Sequence, residues 1–261
     1  MNEKTVEMLN AEKRHDFASL LDIMRLLRSE NGCPWDKEQT HATIRSNFIE
    51  ETYEVVEAID KEDAALMREE LGDVLLQVVF HARISEENGE FTMGDVIHDI
   101  CAKLIHRHPH IFGDVQADTS EVVLNNWEKI KTEEKKRIGL SGTLEAIPPA
   151  LPSLMKIQKF VKKASKENLA PCTEAAVQKL QSAAQRMSEQ TEPLAKTLQD
   201  ILVSTAVLAQ ENGLDTEELL YNACCRITEK VKTAEEACEG NLSSLSAEER
   251  QECAEKIFYA E

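Results

Sequence analysis

FIEETYEVVEAI (48–59) followed by REELGDVLLQVVFHARISEENG (68–89) decides the fold class. In the first segment Ile44, Phe48, Val55 and Ile59 make an apolar stripe at helical spacing. Glu51 sits at its edge, Glu54 one step out and Glu50 further still. In the second, Leu71, Val74, Leu75, Val78, Val79 and Ala82 form a wide apolar arc broken by a narrow polar stripe of Glu70, Asp73, Gln77 and His81. Side chains three or four apart share a helix face. Glu51 and Glu54 therefore point together, as do Glu70 and Asp73. The fifteen residues between Glu54 and Glu70 suffice to finish one helix, turn near Asp60–Asp63 and start an antiparallel partner. Two acidic pairs then face each other.

Working outward, helical periodicity is nearly continuous. It predicts helices near 16–30, 42–60, 63–87, 93–107 and 120–137, then near 153–166, 173–190, 192–211, 215–237 and 246–258. Thr92 and Asp215 stand where N-caps belong. No strand alternation is visible, and 9 Gly and 7 Pro in 261 residues leave little room for tight turns. The expected class is all-α. Gly, Ser and Pro concentrate in 139–152, which reads as a linker between domains at 1–138 and 153–261. The halves resemble a diverged repeat. Leu71, Asp73 and Ala82 match Leu198, Asp200 and Ala209, and both segments reach Glu-Asn-Gly, at 87–89 and 211–213.

A net charge of −18 disfavours a nucleic-acid polymer as partner, because a phosphate backbone is repelled. One nucleotide is different, since a cation can neutralise its phosphates locally. Seven scattered cysteines without CxxC argue against a disulfide framework or structural zinc and for a reducing cytoplasm. The polar N-terminus is no signal peptide, and no apolar run approaches the ~20 residues of a membrane helix. GxxxxGK[ST] is absent, which removes a P-loop ATPase.

Facing carboxylates at a core edge must bind protons or a cation. Magnesium suits them: it takes carboxylate oxygens and shares its other positions with phosphates. Iron is the rival, but ferritin-like sites draw on Glu-x-x-His pairs, and segments 48–59 and 68–89 carry none.

These residues resemble the MazG family of nucleoside triphosphate pyrophosphohydrolases. The resemblance rests on ENGCPWDKEQTHATI (30–44), the EExxE and ExxD helices, KLIHRHPHIFGD (103–114) and WEKIKTEEK (127–135), in the family's order over roughly 17–137. It implies tandem helical bundles and hydrolysis between the α- and β-phosphates, giving a monophosphate and pyrophosphate. It implies magnesium, with manganese as a substitute, on Glu51, Glu54, Glu70 and Asp73, with Glu50 nearby orienting water; Glu50 and Glu51 are the catalytic candidates. Lys37, Arg107 and Lys131 match positions that neutralise phosphates, and Trp35 or Trp127 can stack on a base. The family usually dimerises, so a homodimer is expected. His106, His108 and His110 alternate, but Pro109 reads as a loop rather than a metal site. His98-Asp99 lacks the further partners of an HD phosphohydrolase. The C-terminal half departs from the family: 175–188 has no carboxylate, and the ExxD equivalent keeps Asp200 alone. That half is expected to be an inactive copy. A nucleotide-binding regulatory module with negligible turnover is the alternative to an enzyme.

Overall fold

Capping chemistry sets where the helices of the computed structural model begin. The structure describes residues 3–11, 14–117, 119–134, 139–238, 242 and 245–259. Asp16 and Ser19 close a reciprocal capping box on α2 (Phe17–Leu27), and Thr92 and Asp95 close another on α6 (Met93–Arg107). Asp63 caps α5 (Ala64–Glu87), and Asp215 caps α13 (Thr216–Ala237). Thr92 and Asp215 thus act as expected from the sequence.

Among the described residues there are fourteen helices and no strand, so the chain is all-α. It divides into two compact units, Met1–Lys131 and Thr132–Glu261. The first holds α1 (Glu3–Ala11), α2, α3 (Pro34–Glu38), α4 (Arg45–Asp60), α5, α6, α7 (Pro109–Phe112) and most of α8 (Ser120–Glu134). The second holds α9 (Gly139–Glu145), α10 (Ser153–Lys166), α11 (Thr173–Glu189), α12 (Leu194–Glu211), α13 and α14 (Ala247–Tyr259). Among the described residues no helix is long and apolar enough to cross a membrane.

Three expectations change. The stretch 139–152 is not bare linker: it carries α9, packed on α10, and buried Ile147. Pro109 starts the one-turn helix α7 rather than a loop, since proline has no N–H to lose at the first helical position. Ile59 is exposed instead of joining the core stripe of α4. Residues 135–137, expected at the end of a helix, lie outside the described residues.

In the first unit, α4 and α5 form a hairpin across residues 61–63, with Glu62 in the left-handed region at φ 52°. α2 and α6 pack on α5. Met24, Ile44, Val79, Phe80 and Ile84 make the core, with Leu20, Leu21, Leu76 and Met93 against it. Arg28, its side chain 6% exposed, ties this end together. It donates to both Glu87 carboxylate oxygens and to the Asp36 and Gln39 carbonyls, and lies over the Phe80 ring. Gly32 lets the chain turn tightly off α2: a β-carbon there would collide with the Leu26 and Leu27 carbonyls.

The second unit repeats the packing order. α11 and α12 form its hairpin, and α10 and α13 pack on α12 as α2 and α6 pack on α5. Val161, Ala176 and Val207 are its core. Gly89 (φ 71°) and Gly213 (φ 68°) stop α5 and α12 in the same way, each followed by a backbone bond reaching five residues back, Glu90 to Ser85 and Leu214 to Ala209.

Candidate metal centre and nucleotide site

Residues equidistant from a hairpin turn lie level with each other. Glu51 and Asp73 each stand eleven residues from residue 62, and Glu54 and Glu70 each stand eight. The structure brings one carboxylate oxygen from each of Glu51, Glu70 and Asp73 within 4.8 Å of one another, all three side chains half-buried. Glu54 stands close enough to both Glu51 and Glu70 to raise their carboxyls. Burial first, then the charges of Asp73, Glu54 and Glu50, push the Glu51 carboxyl above its ordinary range. Burial, then Glu54, Asp73 and Glu69, push Glu70 up likewise. Glu50 is exposed beside the group. This electrostatic debt is what a divalent cation cancels, and four oxygen donors on two rigid helices fit a hard one.

The other expected residues fall into two further groups. Arg107, at the end of α6, lies over the Trp127 ring at 5.3 Å, and Lys131 lies over it at 4.7 Å. Three candidates from α6 and α8 thus meet, with Trp127 half-buried and both cations over its ring. Lys37 and Trp35 sit on α3. The Lys37 ammonium donates to the Glu30 carbonyl at 2.6 Å, folding back on its own loop, and Trp35 is 57% exposed.

The polar stripe of α5 continues past the acids. Gln77 is 6% exposed, with its side-chain oxygen buried and unpartnered. His81 stacks on His41 with ring planes 2° apart and Nδ1 to Nδ1 at 2.7 Å, so one imidazole donates to the other. Ser85 meets His41 Nε2 at 3.2 Å. Burial, then His41, holds His81 below its ordinary pKa. Nothing in sequence spacing pairs His41 with His81, forty residues away. His108 Nδ1 is 2.6 Å from the Leu104 carbonyl, a helix-end bond consistent with a structural role. Glu-x-x-His spacings do occur outside the acidic helices, at Glu12–His15 and Glu38–His41. Glu12 lies outside the described residues, and His41 is turned to His81 and Ser85.

The model of the MazG nucleotide pyrophosphohydrolase domain matches residues 39–112, the interval containing both acidic helices. The nucleoside triphosphate pyrophosphohydrolase of Escherichia coli (strain K12) is 42% identical over 214 residues, 78% of this chain and 81% of that one. The chain belongs to the MazG family. A Thermotoga maritima relative named nucleoside triphosphate pyrophosphohydrolase/pyrophosphatase MazG is 38% identical over 92% of this chain and 94% of its own. YabN of Bacillus subtilis (strain 168) is 51% identical over 148 residues, and this MazG-family chain spans only 30% of its length.

The same geometry can be applied to the hairpin of the second unit. Its turn is centred between Thr191 and Glu192, so Ala183 lies level with Asp200 and Arg186 level with Thr197. Lys179, Ala183 and Arg186 repeat the i, i+4, i+7 face of Asn47, Glu51 and Glu54. Fully buried Ala183 stands where Glu51 would, Arg186 where Glu54 would and buried Thr197 where Glu70 would. Lys179 and Arg186 both reach Asp200, at 2.9 Å and 2.8 Å. The hydrogen bond from Lys179 foremost, with the charges of Lys179, Arg186 and Lys196, keeps Asp200 below its usual range.

Proposed function

We propose that the first unit hydrolyses nucleoside triphosphates to the monophosphate and pyrophosphate with magnesium, manganese substituting. The carrying observation is the facing set of Glu51, Glu70 and Asp73 oxygens within 4.8 Å, flanked by Glu54. Those four would hold the cation, whose chemistry is Lewis-acid polarisation of phosphate oxygens. Glu50 is outside the tight group, and it takes the proton of the attacking water at a carboxylate oxygen. The water oxygen bonds to the α-phosphorus, the α–β bridging bond breaks and pyrophosphate leaves. Arg107, Lys131 and Lys37 neutralise phosphate charge, and Trp127 or Trp35 takes the base face. Lys37 must first leave the Glu30 carbonyl, which costs it one exposed hydrogen bond.

The active form is a homodimer in this reading. Ile49, Tyr53 and Val56 on α4, with Leu71 and Leu75 on α5, leave an apolar face of the hairpin exposed. Seven free cysteines fit the reducing cytoplasm. A regulatory module without turnover is favoured by one feature only, the lost acids of the second unit.

The test is incubation with ribo- and deoxyribonucleoside triphosphates, with and without magnesium, and chromatography of products. Metal-dependent monophosphate and pyrophosphate, reduced at least 100-fold in Glu51→Ala/Asp73→Ala, are expected. Diphosphate and phosphate would mean attack at another bond. Metal-dependent binding without turnover would establish the regulatory module instead.

A further inference from the structure

Helix α3 carries Trp35 and Lys37 but buries none of its five residues. One turn of helix does not hold itself, because nucleating it is unfavourable. Its position comes from ties to its surroundings. The Arg28 guanidinium donates to the Asp36 and Gln39 carbonyls. The Gln39 side chain donates to the Trp35 carbonyl at 2.9 Å and accepts from the Thr43 hydroxyl at 2.8 Å. Residues 39–44 and α3 are thus hydrogen-bonded to each other, and what anchors that segment also anchors Trp35 and Lys37.

His41 stands inside the segment, and its exposed ring reaches α5. There it stacks on His81, which the Phe48 ring of α4 meets edge-on at 5.8 Å. Ser85 decides the direction of the hydrogen bonds. It is 1% exposed, and among the described residues its hydroxyl meets His41 Nε2. A buried hydroxyl that only accepted would leave its own proton unpaired. The Ser85 O–H therefore donates to His41 Nε2. A neutral imidazole carries one N–H, so His41 keeps its proton on Nδ1 and donates it to His81 Nδ1, 2.7 Å away. His81 then carries its own proton on Nε2. Burial, and then His41, hold His81 below its ordinary pKa, in keeping with the uncharged acceptor this chain of donors needs.

We infer that His41, locked by Ser85 and His81, is a positioning residue that tethers α3 to α5 and so holds Trp35 and Lys37 ready for a nucleotide. The nucleotide part of this inference rests on the substrate roles proposed above for Trp35 and Lys37. His41 acts through the segment that carries them. Releasing it weakens contacts that substrate and transition state share, so KM rises while kcat stays.

The experiment compares wild type with two variants of the full chain. His81→Phe keeps a ring for His41 to stack on and removes the acceptor. Ser85→Ala removes the donor. Circular dichroism checks that each is folded, and either variant suffices. In magnesium-supported hydrolysis each should raise KM about fivefold and leave kcat within about twofold. Hydrogen exchange should quicken about tenfold in 33–44 and stay as in wild type along α4 and α5. Imidazole nitrogen NMR of wild type near neutral pH should find His41 protonated at Nδ1 and His81 at Nε2. A fall in kcat at unchanged KM overturns the inference, as does unchanged exchange in 33–44, or His41 protonated at Nε2 alone. Protection lost along the whole of α5 also overturns it, since the pair would then only support the core. Faster exchange in 33–44 with KM unchanged overturns it through Trp35 and Lys37. Absence of hydrolysis by wild type would instead remove the first unit's assignment, and exchange and tautomers would still decide whether His41 holds α3.

Discussion

Arg28 shows how much one side chain decides in this chain. Its guanidinium spends its donors on Glu87 and two loop carbonyls while lying on Phe80. Removing it takes the donor from the Asp36 and Gln39 carbonyls and leaves Glu87 with Arg83 alone. Arg28→Ala should therefore lower unfolding free energy by about 3 kcal/mol, measured by denaturant titration. Arg28→Lys, which loses the planar fork, should recover only part of it. Burial alone would raise the Glu87 pKa, but the hydrogen bonds and charges of Arg28 and Arg83 override it, leaving it lowered. A lowered carboxylate stabilises above its unfolded pKa and stops doing so as pH falls through the folded one. The stability gap between wild type and Glu87→Gln should thus be full near neutrality and vanish as pH falls below about 4. His81 has the opposite protonation at rest: neutral in the fold, with a lowered pKa. Its contribution is full above about 6.5 and declines as pH falls below that, because burial, and then His41 beside it, disfavours the His81 imidazolium. Nitrogen-detected imidazole NMR should find His81 uncharged at pH 7; an imidazolium there would sink this reading.

At the scale of the element, the first hairpin was largely legible. Period 3.6 placed α4 and α5, and three-and-four spacing placed Glu51, Glu54, Glu70 and Asp73 face to face. Ile59 was misplaced because periodicity marks an apolar stripe without saying whether anything covers it. Arg107, Trp127 and Lys131 entered through resemblance to a family, since helical spacing cannot bring α6 and α8 together. His41 and Arg28 were invisible for the same reason: their partners are tertiary. Two outcomes belong here. Glu62 pays a left-handed backbone cost at the hairpin turn, so Glu62→Gly should raise stability by roughly 0.5–1 kcal/mol in thermal unfolding. Neutralising the facing acids with Glu51→Gln/Glu70→Gln should raise the metal-free Tm and abolish the rise that magnesium gives wild type. An unchanged magnesium response would remove Glu51 and Glu70 from the metal centre.

For the molecule as a whole, the two units share an order of packing, while the residues level with each other in the two hairpins differ. The sequence showed that carboxylates were missing from 175–188; only the geometry showed what stands in their places. Magnesium should slow amide exchange in α4 and α5 and leave α11 and α12 unaffected, which hydrogen exchange with mass spectrometry resolves by segment. Equal protection of both hairpins would contradict the assignment of metal to the first alone. Self-association belongs at this scale too. Tyr53→Glu places a charge on the exposed apolar face of α4 and should weaken the proposed homodimer at least tenfold in sedimentation.

Asp200 has one more consequence. Its counter-ions are joined to it by peptide bonds, on Lys179 and Arg186. A chelator, a fall in free magnesium or competition from other phosphates can strip the acids of the first hairpin, on the reading proposed above. None of these can strip Asp200. One half of the chain therefore tracks the ionic composition of its surroundings, while the other carries its counter-ions within its own sequence.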